Sequence, residues 1–66
     1  MSKSEYFESI EEMEEAKLRL IRLLTSEEKS ATKIITQGES LISITVESAM
    51  DIEDKVRKAF GNYYRE

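Results

Sequence analysis

Apolar positions from Ala31 to Phe60 recur at three- and four-residue steps, through Ile34, Ile35, Leu41, Ile42, Ala49, Ile52 and Val56, with Tyr63 next in phase. At about 100° per residue they fall in one arc of a helix, which Gly38 and Thr45 interrupt and from which only Ile44 and Met50 clearly stray. An earlier set, Tyr6, Ile10, Met13, Leu20, Ile21 and Leu24, repeats that spacing among strong helix formers. Ser2 to Glu5 has the S-x-x-E spacing of a capping box, in which hydroxyl and carboxylate each satisfy a free backbone N–H. A first helix is therefore predicted over about 3–24. Thr25 to Glu28 repeats the box as T-x-x-E directly after Leu24, which predicts a tight turn and a second helix over about 27–60. Gly61 would close that helix from the C′ position, leaving 62–66 as a frayed tail.

Residues 33–47 admit a second pattern. Ile42, Ile44 and Val46 alternate with Ser43, Thr45 and Glu47 like a half-buried strand. With a turn at Gln37, Gly38 and Glu39, that alternation gives an α+β alternative, a β-hairpin at about 33–47 between two helices. The helical reading is preferred because Ala31, Ile34 and Ile35 keep helical register with Ile52, Val56 and Phe60 across the supposed turn. Two strands alone would also make a very small sheet. The predicted fold class is all-α: one domain, an antiparallel helical hairpin that associates into a four-helix bundle through a coiled-coil seam.

Lengths then matter. The first helix would be about 30 Å long and the second about 50 Å, so folding back covers the long one only to about Glu47. The remainder of its stripe needs another polypeptide. Ile35, Leu41, Ile42, Ala49, Ile52, Val56, Ala59, Phe60 and Tyr63 are the predicted oligomer interface, with a second copy or a helical protein partner as the cover. Size argues the same way, because a 66-residue chain buries only roughly 60% of the surface its unfolded form exposes. With no Cys and no His, disulfides are excluded and a structural metal is not expected, so oligomerisation remains.

Ten basic against fourteen acidic side chains give a net charge of −4, which does not favour nucleic acid, whose affinity comes from Lys and Arg. Glu5, Glu8, Glu11, Glu12, Glu14 and Glu15 precede Lys17, Arg19 and Arg22, an order suited to a helix dipole and read as a solvated face. No long uncharged apolar run occurs, so no membrane span is expected, and the first nine residues lack the pattern of a cleaved signal. Cytoplasmic residence is the expectation. Without His or Cys the commonest general base and thiol nucleophile are missing, so no enzyme is predicted. The Glu8, Glu11, Glu12 and Glu15 ladder lacks the His of a di-metal helix, and Asp51, Glu53 and Asp54 lack the loop spacing of a calcium site. No metal, cofactor or small-molecule substrate is expected. Tyr6, Tyr63 and Tyr64 are read as packing aromatics. The functional expectation is a non-enzymatic protein-interaction module, either an assembly subunit or adaptor, with a small dimeric regulator or inhibitor of a target enzyme or transcription factor as the alternative.

Overall fold

The computed structural model of the chain describes residues 1–61, so the expected tail at 62–66, Tyr63 included, lies outside the described residues. Its elements run β1 (Ser2–Tyr6), α1 (Ile10–Leu23), α2 (Ser26–Ser30), β2 (Thr32–Gly38), β3 (Ile42–Ser48) and α3 (Glu53–Phe60). The strands form one antiparallel sheet in the order β1-β3-β2. Helices α1 and α3 pack together and cover one face of it. This is a two-layer α+β fold. The all-α hairpin, the four-helix bundle and the coiled-coil seam are corrected accordingly.

Each correction has a local cause. The long helix over 27–60 does not form, because its middle holds the β-branched run Thr32, Ile34, Ile35, Thr36 and then Ile42, Ile44, Thr45, Val46, residues that lose χ1 freedom in a helix and pack well on a pleated surface. The helical phase that favoured it is a coincidence of spacing. Ala31 and Ala49, Ile34 and Ile52, and Ile42 and Phe60 are each 18 residues apart, which is about five turns at 3.6 residues per turn. Any such spacing preserves phase, whatever lies between. The hairpin falls close to where the α+β alternative placed it, but its connection is Glu39 to Leu41 rather than Gln37 to Glu39. The third strand was not foreseen. Ser2 to Glu5 is no cap but β1, with Lys3 opposite Val46 and Glu5 opposite Ile44.

Helix α1 therefore begins later than expected. Ser9 is its N-cap, and the hydroxyl accepts the Glu12 N–H at 3.1 Å. The Thr25 capping box does form, with the Thr25 N–H donating to Glu28 Oε1 at 2.8 Å and the Glu28 N–H donating to Thr25 Oγ1 at 3.2 Å. It opens only the five-residue α2. Helix α3 ends at Gly61, whose φ of +44° is a left-handed value that glycine adopts without Cβ strain. At Gly38 a Cβ would lie 3.3 Å from Ile10 Cδ1, at the start of α1, a tight contact with the end of a half-exposed side chain.

The core lies between the sheet and the helices. Ile44 and Val46 of β3 meet Met13, Ala16, Leu20 and Leu24 from α1 and its C-cap, and Val56, Ala59 and Phe60 from α3. Phe7 and Ile52 close its ends, with the Phe7 ring edge-on to Phe60 at 5.7 Å between centroids. Arg19 Nε donates to the Ala59 carbonyl at 2.8 Å, tying α1 to α3. Ile52, Val56, Ala59 and Phe60, expected to wait for a partner, are thus buried in their own chain.

Candidate interaction surface

A two-layer fold with three strands leaves one sheet face and two strand edges uncovered. Residues opposite each other in an antiparallel pair share a face, so the open face carries Ser2, Ser4 and Tyr6 of β1, Ser43, Thr45 and Glu47 of β3, and Lys33, Ile35 and Gln37 of β2. Ser4 Oγ and Thr45 Oγ1 are hydrogen-bonded across it at 2.9 Å. Polar cross-strand pairs of this sort suit water. Tyr6 and Ile35 are the apolar exceptions, 60% and 41% exposed.

The two edges differ. Strand β1 is five residues long and carries Lys3 and Glu5, charges of the kind that discourage pairing with another chain. Strand β2 is seven residues long, keeps an unbroken register with β3, and carries no proline and only one charge, Lys33. Because β2 pairs only with β3, alternate N–H and C=O groups along its other side have no sheet partner. Beside this edge lies a cleft of about 310 Å³ lined by Lys17, Ile21, Leu24, Lys29, Thr32 and Ile34. Its floor is the apolar surface of Ile21, Leu24 and Ile34, and Lys17 and Lys29 supply cationic side chains. Among the described residues neither lysine has an ion pair.

Of the predicted interface residues, the structure leaves Ile35 and Leu41 as exposed apolar groups, on β2 and in the adjoining hairpin turn. Ile42 is half-buried against the core, and Ala49 is exposed beyond the end of β3. The cleft residues were not foreseen. Lys17, Ile21 and Leu24 lie at i, i+4 and i+7 on α1, a readable stripe, but its pairing with Ile34 depends on where β2 docks.

Glu28 of α2 ties that helix to α3. Its carboxylate accepts from the Thr25 N–H and pairs with Lys55 of α3. These contacts hold the Glu28 carboxyl below its ordinary value of 4.5, chiefly through the Lys55 hydrogen bond and then the Thr25 N–H, against a smaller upward pull from burial. A lowered folded pKa means that the unfolded chain binds this proton more readily. The resulting stability is complete above 4.5 and fades as pH falls through the lowered folded value. Glu28→Gln should therefore lower the urea midpoint at neutral pH, with the difference from the parent shrinking in acid. A pH-independent difference in a titration followed by circular dichroism would remove the charge from this account.

Among the described residues no group of three or more His, Cys, Asp or Glu side chains is arranged to hold a metal ion, and no helix is long and apolar enough to cross a membrane. Comparison of the chain with protein-family models, with curated proteins and with solved structures returns no match.

Proposed function

We propose that this chain is a non-enzymatic protein-interaction module, an assembly subunit that self-associates by pairing β2 of one copy with β2 of another. The observation that carries the reading is the unguarded edge of β2: seven residues in unbroken register with a single charge and an exposed isoleucine at its centre. An antiparallel pair centred on Ile35 sets Ile35 beside its own copy, Lys33 beside Gln37 of the second copy, and Ile34 beside Thr36 of the second copy. Two three-stranded sheets become one of six. Each main-chain bond adds about 0.5–1.5 kcal/mol net, and covering Ile35 adds part of the about 1.5–3 kcal/mol of a fully buried isoleucine. For a domain this small those amounts are large.

Sedimentation velocity tests it. The chain should show a concentration-dependent species at about twice its 7.7 kDa mass. Ile35→Lys places a second charge on the edge without touching the core, so it should keep the fold and abolish that species. A single 7.7 kDa species at the highest soluble concentration, or an Ile35→Lys variant that dimerises like the parent, would refute this mode of assembly.

A further inference from the structure

The cleft beside β2 carries a charge preference: Lys17 and Lys29 border its apolar lining, and no carboxylate lines it. Among the described residues neither lysine has an ion pair, so a carboxylate brought to this edge meets a cation without a partner.

We infer that the β2 edge with its cleft is a docking site for an extended acidic segment of a different protein, which adds as a fourth strand and competes with the second copy for the edge. The inference rests on β2 being the docking edge, as proposed above. Side chains of an added strand alternate between faces, with same-face neighbours about 6.8 Å apart. On the cleft side, one apolar side chain sits over Ile21, Leu24 and Ile34, and carboxylates two residues before and after it reach toward Lys17 and Lys29. The recognised pattern is acidic-x-apolar-x-acidic. Ile35, on the opposite face of β2, favours a β-branched or apolar residue at an intervening position. Main-chain pairing supplies affinity, and the cleft supplies specificity.

The test uses the full chain and a fluorescein-labelled peptide of about seven residues, with glutamate flanking a central isoleucine at two-residue steps and threonine elsewhere. A second peptide has lysine in place of the glutamates. Fluorescence anisotropy should show the acidic peptide binding at least about tenfold more tightly than the basic one. Lys17→Glu with Lys29→Glu should reverse that order while far-UV circular dichroism remains that of the parent. Ile35→Lys should weaken both peptides. Equal binding of the two peptides, or an order that the double reversal leaves in place, overturns the inference, as does the absence of acidic-peptide binding. Sedimentation keeps the two readings apart. If the chain dimerises and the acidic peptide does not return it to single copies, the inference fails and self-association stands; if the chain alone is monomeric and the acidic peptide binds with the expected charge preference, self-association fails and the inference stands.

Discussion

Phe60→Ala should leave the chain largely unfolded at room temperature, with its urea midpoint falling by more than half. Phe60 is fully buried and its ring meets Phe7 edge-on. Truncating a buried phenylalanine costs about 3–5 kcal/mol, the transfer of the ring plus the cavity it leaves. At about 0.05–0.15 kcal/mol per residue, a chain of this length has only about 3–10 kcal/mol to lose. Leu41→Ala is the matched control, since Leu41 is 58% exposed and its loss should stay within about 0.5 kcal/mol. Urea denaturation followed by circular dichroism measures both. A Phe60→Ala loss under about 1 kcal/mol would place this ring outside the single-chain core. The comparison also separates two architectures, because a helix overhanging its companion would expose Phe60 in the isolated chain, whereas the two-layer fold seals it under α1 and β3.

Local signals were legible where the physics is local. The Thr25 capping box forms with both of its hydrogen bonds, and Gly61 ends α3 with the left-handed backbone expected of it. Met13 and Leu20, read as inward-facing on the first helix, are buried there. Ser9 was missed although Ser9 to Glu12 has the same S-x-x-E spacing as Ser2 to Glu5. The two boxes compete. What decides between them is the pairing of β1 with β3, 37 to 45 residues away in the chain, for which no local pattern speaks. The same holds for the candidate site. Ile35 and Leu41 are visible in the sequence as apolar residues, but whether they are covered depends on which strand becomes the centre of the sheet. Once β3 takes that place, β2 is left with a free edge, and the α1 stripe from Lys17 to Leu24 becomes one wall of a cleft.

Neighbouring substitutions in β3 give the sharpest separation of strand from helix. Ile44→Asp should abolish folding, whereas Thr45→Asp should leave a folded chain with a loss of about 1 kcal/mol at most. Ile44 is fully buried between the sheet and the helices, so a carboxylate there is cut off from water. Burying an unpaired charge costs several kcal/mol even after the group shifts its pKa, which matches or exceeds the stability of a domain this small. Thr45 points to the open face, where it bonds Ser4 and is flanked across the strands by Ile35. A carboxylate at that position stays in water, and the loss is the hydroxyl pair with Ser4. A continuous helix over 27–60 makes the opposite demand, because there Thr45 lies within the apolar arc and Ile44 outside it. Far-UV circular dichroism and one-dimensional proton NMR of the two variants decide the matter: dispersed amide signals for Thr45→Asp and collapsed ones for Ile44→Asp follow from the sheet, and the reverse pair of outcomes would require the helix.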